Sequence, residues 1–182
     1  MIKLMLNSYR IRLANQKDIP AISELMDISI KELQKGYLSH DQIQASFGMM
    51  GLDTQLITDK TFYCVFYGEA LVACGGWSRR ATRYGGNHTA GRDASLLNSK
   101  TDRARIRAMY THPNHAKRGI GKMILEASEI AAKFEGFKAL EMVATMAGKP
   151  FYLRCGYHIE SEWDDNSGQV PVPLCSMTKI LA

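Results

Sequence analysis

The chain has 182 residues, of which 46% are hydrophobic and 23% are charged, and these proportions are ordinary for a single globular domain. They exclude a disordered or low-complexity chain, and no apolar run approaches the length of a transmembrane helix. The formal net charge of +5 favours an anionic ligand or partner, although a modest basic excess also serves solubility alone.

The spacing of the four cysteines is not that of a metal-binding or redox pair. Cys64, Cys74 and Cys175 lie in strand-like apolar runs, so we interpret them as core thiols. The N-terminus has too short an apolar run for a signal peptide. Together these features predict a cytoplasmic protein that needs no metal.

The first third of the chain predicts a strand followed by two helices. Polar and apolar residues alternate over Tyr9–Leu13, as in a half-buried strand. Asp18 can cap a helix that Gly36 closes, and Ser39 can cap a second helix that ends near Gly48.

The next segments predict a β-hairpin. Residues 61–66 and 70–77 are rich in aromatic and β-branched side chains, and a glycine-containing turn separates them. Gly75 and Gly76 lie inside the second strand, which indicates a bulge or a close approach of two backbones.

Residues 78–103 show no periodicity and predict a long loop that is either functional or mobile. Its arginines suit an acidic substrate or phosphates, and a solvated loop explains them equally well. They are Arg79, Arg80, Arg83 and Arg92.

The last part of the chain alternates strands and helices, which predicts an α/β domain around one sheet. We predict a domain over residues 9–182 with a short N-terminal extension over residues 1–8. The predicted strands are Ala104–Thr111, 139–144, 157–161 and 170–181, and the predicted helices are 119–134 and Lys149–Arg154.

A basic loop with two glycines, residues 116–122 (AKRGIGK), precedes the longer of these helices. Backbone N–H groups at a helix N-terminus, next to lysine and arginine, form an arrangement that binds phosphates. A nucleotide P-loop needs a hydroxyl after the lysine, but Met123 follows Lys122. A dinucleotide-binding fingerprint needs a third glycine, but Ile124 stands there. A loop that holds the pyrophosphate of coenzyme A is the third alternative.

Two motifs in this region resemble those of the GNAT N-acetyltransferases. In MYTHPNHAKRGIGKMIL, Gly119 and Gly121 match the two small positions of the family signature, whereas Ala116 replaces the usual Gln or Arg. Downstream, FYLRCGY matches the family's F-Y-x-x-x-G-[F/Y] run. The resemblance extends over nearly the whole chain. It implies a mixed sheet of about seven strands, flanked by helices, with a splay between the fourth and fifth strands.

The resemblance also implies an acetyl-CoA-dependent N-acetyltransferase that modifies a primary amine of a small molecule or peptide by direct attack in a ternary complex. It implies neither a nucleic-acid nor a membrane partner, and it is compatible with a homodimer. A non-catalytic acyl-CoA-binding sensor or partner module is the alternative. A nucleic-acid-binding module that uses the loop arginines is a third, but it lacks interleaved aromatic platforms.

The site residues are implied by position within the two motifs. Tyr152 corresponds to the tyrosine that protonates the departing thiolate in many relatives. The backbone of Met109, Tyr110 and Thr111 is expected to pair with the pantetheine arm. The pyrophosphate is expected to lie on Ala116, Lys117, Arg118, Gly119, Ile120, Gly121 and Lys122.

The general base and the acceptor site are less well defined by the sequence. Many relatives place a glutamate early in the central strand, where this chain has Arg105. Asp102, His112 and Glu141 remain weak alternatives for the base. Candidates to line the acceptor site are Tyr37, His40, Trp77, Arg79, Arg80, Tyr84 and His88.

Overall fold

The computed structural model describes residues 8–181, and its strands form one seven-stranded mixed sheet flanked by helices. Residues 1–7 of the predicted N-terminal extension lie outside the described residues, and so does residue 182. The strands are β1 (Tyr9–Leu13), β2 (Phe62–Tyr67), β3 (Ala70–Ser78), β4 (Ala104–Thr111), β5 (Ala139–Thr145), β6 (His158–Asp165) and β7 (Val172–Ile180). The helices are α1 (Ile19–Leu33), α2 (His40–Met49), α3 (Gln55–Thr58), α4 (Ile120–Phe134) and α5 (Lys149–Arg154).

The predicted fold class and element order are confirmed. Each predicted strand and helix is present, and the sheet order is β1-β2-β3-β4-β5-β7-β6. The short helix α3 and two 3-10 turns, Gln16–Asp18 and Pro113–His115, were not predicted. These segments contain a single turn each, too little for a helical period to appear in the sequence.

The N-terminal caps of α1 and α2 illustrate one wrong and one confirmed prediction. Ser39 caps α2 in a reciprocal capping box with Gln42. Asp18, by contrast, makes no side-chain cap on α1. Its carboxylate accepts instead from the Asn15 backbone and from Arg12, because Asn15 opens the 3-10 turn one step earlier.

Helices pack on both faces of the sheet. On one face α1 buries Ile22 and Met26 against Phe62 of β2. On the other face α4 buries Ile120 and Ile124 against neighbouring strands. Cys64, Cys74 and Cys175 are buried free thiols, as predicted. None of the helices within residues 8–181 is long and apolar enough to cross a membrane.

The predicted splay is confirmed by the pairing of β4 with β5. The two strands run parallel, and only Ala104 with Leu140 and Arg105 with Glu141 are paired. β5 pairs along its whole length with β7 on its other side. The remainder of β4, from Ile106 to Thr111, therefore presents an open backbone edge toward a cleft.

A β-bulge changes the direction of this open edge. Cys74 pairs with Tyr110, and Gly76 pairs with Arg107. Between these two pairs β3 has one residue and β4 has two, so β4 carries one extra residue. Ala108 adopts a positive φ of 53° within the bulge. The expected close backbone approach is present as well, because a Cβ on Gly76 would collide with the carbonyl oxygen of Thr61.

We expect Gly76→Ala to lower the free energy of unfolding by about 3 kcal/mol, because the added methyl group meets backbone that cannot rotate away. Gly48→Ala is the matched control, since a Cβ there meets nothing within 4 Å and the residue lies inside α2. The control should be neutral or slightly stabilising. Equilibrium denaturation in urea measures both, and equal stability of the two variants would contradict the packing argument.

Candidate active site

A cleft of about 980 Å³ opens where β4 and β5 part. Elements distant in sequence line it: the edge of β4, the basic glycine loop, α5 and the end of α1. The structure brings together in this cleft all the predicted cofactor-binding residues except Arg118. They are Met109, Tyr110, Thr111, Ala116, Lys117, Gly119, Ile120, Gly121 and Lys122.

The bulged edge of β4 supplies backbone hydrogen-bonding groups to the cleft. Ala108 and Met109 fall between the paired positions of β3 and β4, and both line the cleft. On the far side, β5 has already diverged. An extended ligand can therefore pair with this edge as an added strand would. The side chain of Tyr110 points into the core, where its hydroxyl accepts from the Gly51 N–H at 3.1 Å.

The basic glycine loop forms the N-terminus of α4. Gly119 is the N-cap residue in the left-handed region at φ 84°, and Lys117 also has a positive φ of 60°. The first helical bond runs from the Met123 N–H to the Gly119 carbonyl, so the preceding N–H groups are left for a ligand. Since the loop lines the cleft with two lysines, its donors and charge fit a pyrophosphate.

Tyr152 lies on α5 and lines the same cleft while only 8% of its surface is exposed. The rings of Phe151 and Tyr157 pack against it, with centroids at 5.0 and 5.9 Å. Among residues 8–181 its hydroxyl has no hydrogen-bond partner. Burial raises the pKa of Tyr152 above its ordinary value, so the hydroxyl holds its proton. The phenol is therefore protonated in the free protein and belongs to a residue that lines the cleft.

The three weak candidates for a general base are engaged elsewhere, and none of them lines the cleft. Glu141 forms its closest ion pair with Arg105. Asp102 accepts from the Asn98 N–H at 2.7 Å within the long loop. His112 accepts from the Asn114 N–H at 3.2 Å, as an ordinary turn residue does.

The arginines of the long loop form ion pairs with carboxylates of other segments of the domain. Arg79 contacts Glu135 at 2.7 Å, and Arg80 contacts Asp59 at 2.6 Å. Arg92 contacts Asp53 at 2.5 Å. Only Arg83 among the four lines the cleft. The loop is therefore held in place by ion pairs, which neither of the two sequence interpretations anticipated.

A buried ion cluster lies on the central strand β4, two residues after Arg105. Arg107 of β4 is 3% exposed and donates to Asp53 at 3.1 Å and to the carbonyls of Thr82 and Gly85. Burial lowers the pKa of Arg107, and the carboxylate opposes that change. Asp53 also accepts from Arg92, so two guanidinium groups share one carboxylate. Sequence reasoning missed Asp53 because a single aspartate in a short turn carries no motif.

The expected acceptor residues divide into two groups. Tyr37 and Tyr84 line the cleft, and the other five do not. Trp77 is 1% exposed and packs on Phe137 in the core. The prediction that it could line the acceptor site is therefore wrong. Gln34 was missed, although it lines the cleft at the C-terminal cap of α1.

No group of three or more histidine, cysteine, aspartate or glutamate residues within the described part of the chain could hold a metal ion.

Comparisons with known proteins agree with this geometry. The family model described as "Acetyltransferase (GNAT) domain" matches residues 58–159. No curated protein matches the chain by sequence.

Several solved structures share the fold at low sequence identity. A GCN5-related N-acetyltransferase from Rhodopseudomonas palustris is 17% identical with a TM-score of 0.70, and the match covers 96% of each chain. The PaiA N-acetyltransferase from Thermoplasma acidophilum, solved with coenzyme A, is 17% identical with a TM-score of 0.62 over 95% of this chain and 99% of that one. The ribosomal-protein-S18-alanine N-acetyltransferase from Escherichia coli is 11% identical with a TM-score of 0.57 over 96% and 94%. At these identities the likeness concerns the fold.

We expect Asp53→Asn to lower the free energy of unfolding by about 3 kcal/mol or more, because it leaves two guanidinium groups near β4 without a counter-charge. Glu69→Gln makes the same chemical change in an exposed pair with Arg10, and its effect should stay within the error of the measurement. Denaturant titration at neutral pH compares them. A loss of stability at Asp53 no larger than at Glu69 would show that the cluster does not hold the loop.

Proposed function

Because this chain belongs to the GNAT acetyltransferase family, we propose that it is an acetyl-CoA-dependent N-acetyltransferase acting on a primary amine of a small molecule or peptide. The observation that carries the proposal is the meeting of three features in one cleft: a bulged open strand edge, a basic glycine loop at a helix N-terminus, and the buried phenol of Tyr152. Each suits a different part of acetyl-CoA and of the transfer reaction.

In this proposal the backbone of Met109, Tyr110 and Thr111 pairs with the pantetheine arm. The pyrophosphate lies on the N–H groups between Ala116 and Lys122, where the dipole of α4 adds to the lysine charges. Arg118 does not line the cleft, so we expect it to contribute only to the local potential.

The reaction is a direct transfer. The lone pair of a neutral amine attacks the thioester carbonyl, a C–N bond forms, and the Met109 N–H stabilises the oxygen that becomes negative. When the C–S bond breaks, the thiolate takes the proton of the Tyr152 hydroxyl. The nitrogen loses its excess proton to water, and Tyr152 regains one from solvent. The products are an N-acetylated amine and coenzyme A.

Removal of the amine proton requires no carboxylate of the chain in this scheme. Within residues 8–181 the single carboxylate that lines the cleft is Glu32, and it pairs with Lys35 at 2.7 Å. The amine must therefore bind as its neutral form or pass its proton to water, which favours acceptors whose nitrogen has a low pKa.

A non-catalytic acyl-CoA-binding module is the second candidate. The arginines at positions 105 and 107, on the strand where relatives carry a glutamate, favour it. Both candidates require the coenzyme site, and only the first requires a thiol to be released.

Titration of acetyl-CoA by calorimetry, followed by an assay of thiol release over a broad amine panel, tests the proposal. We expect binding at micromolar concentrations together with amine-dependent thiol release. Binding without release for every amine would favour the non-catalytic module. Absence of binding would overturn both candidates.

We expect Tyr152→Phe to lower kcat about 100-fold while the affinity for acetyl-CoA changes little, because the ring remains and only the proton donor is lost. Tyr157→Phe is the matched control, since that hydroxyl donates to Glu129 at 3.1 Å and lies outside the cleft. Steady-state thiol release and calorimetry give the two quantities. Equal kcat values for the two variants would remove Tyr152 from the acid role.

A further inference from the structure

One part of the cleft is formed by the end of α1, the end of α2 and the long loop, and we call it the acceptor end. These elements contribute none of the coenzyme groups discussed above. The acceptor end is lined by Gln34, Met49, Met50, Arg83 and Tyr84, among others, and Leu174 of β7 packs beside them. Its wall thus combines apolar side chains with several polar and charged ones.

Positive charge exceeds negative charge at the acceptor end. Lys35 and Arg83 line it, and Arg107 of β4 lines the cleft next to the long loop, where it donates to the Gly85 carbonyl. The charge of Arg107 is compensated only in part, because Asp53 also serves Arg92. Tyr84 donates to Asp165 at 2.7 Å, but Asp165 is buried and does not line the cleft. A polycationic acceptor would meet a single carboxylate among the described residues of this wall, Glu32, which Lys35 already engages at 2.7 Å.

Arg83 is a cation of this wall that a ligand can reach. Its side chain is 46% exposed, and its Nη2 donates to the Ser176 hydroxyl at 3.0 Å. Its nearest carboxylate, Glu141, lies at 3.6 Å and is already engaged by Arg105. Within residues 8–181 its Nη1 has no hydrogen-bond partner. The guanidinium is therefore held in place while part of its donor capacity remains available.

Gln34 provides a second, independent indication of a ligand. The residue is 3% exposed and lines the cleft, yet its Oε1 is a buried acceptor without a partner in the described chain. Its Nε2 makes only a long contact of 3.7 Å with the sulfur of Met50. An unpaired buried amide oxygen is unfavourable, so rotation of this amide toward a ligand N–H in the cleft would relieve a cost that the free protein carries.

We propose that the acceptor is a small amine that also carries an anionic group, a carboxylate or a phosphate, which Arg83 binds while Gln34 accepts an N–H of the same molecule. This inference rests on the proposed function. The methionines and Leu174 suit an apolar body between the two polar ends. A charge-assisted pair with arginine then selects the acidic amine over its uncharged analogue.

The test compares amines that differ only in the anionic group: L-phenylalanine against phenethylamine, and O-phosphoethanolamine against ethanolamine, with spermidine as the polycation. Thiol release gives kcat/KM, corrected for the neutral fraction of each amine. We expect the anionic member of one pair to be preferred about tenfold or more, and the preferred pair identifies carboxylate or phosphate. Preference for the uncharged members or for spermidine would overturn the inference and leave the proposed function standing.

Variants assign the preference to residues. Arg83→Gln should remove it by raising KM, whereas Arg79→Gln, on the same loop but outside the cleft, should retain it. Gln34→Leu replaces the unpaired amide with an apolar group of similar size, so it should fold and raise KM for every amine tested. Equal effects of the two arginine variants would overturn the role of Arg83.

A binding measurement separates this inference from catalysis. L-Phenylalanine and O-phosphoethanolamine are titrated by calorimetry into the protein saturated with coenzyme A. Binding of either one, lost in Arg83→Gln, would support the anion site even if no amine releases a thiol. Failure of both to bind would overturn the inference, whatever the outcome for the proposed function.

Discussion

The cleft depends on how early β4 and β5 separate. Two residue pairs join these strands, after which each strand is paired only on its far side, β5 with β7 and β4 with β3. Buried backbone groups almost always find partners, so an edge left open inside a domain is a place where a ligand completes the pairing. The bulge at Ala108 depends on the same separation, since a strand paired on both sides could not easily accommodate an extra residue.

The elements whose residues carry their own signals were predicted from the sequence. The alternation in Tyr9–Leu13, the aromatic run of β2 and the 3.6-residue period of α4 depend on local chemistry, and each appears in the structure at nearly the expected bounds. The basic glycine loop was predictable for the same reason, because glycine spacing and a helix start are local. The gathering of that loop, the β4 edge and Tyr152 into one cleft followed from the motifs only by resemblance.

What the sequence could not predict depends on contacts between distant segments. Nothing around Trp77 distinguishes a core side chain from a pocket wall, and burial against Phe137 decides it. No local sequence pattern around Asp53 indicates its two arginine partners, which lie 39 and 54 positions further along the chain. The same holds for Gln34, whose unpaired oxygen exists only because the end of α1 is covered by other parts of the fold.

These long-range contacts also bear on the order in which the domain forms. The hairpin of β2 and β3 closes a short turn, whereas the Asp53 cluster joins two loops and the central strand. The chain loses entropy when a long loop closes, and this loss comes before the contacts can stabilise the folded domain. The β2–β3 hairpin can therefore form before the wall around Arg83. The basic glycine loop begins a helix that packs directly on the sheet, so one side of the cleft depends on that packing and the other on the ion pairs of the long loop.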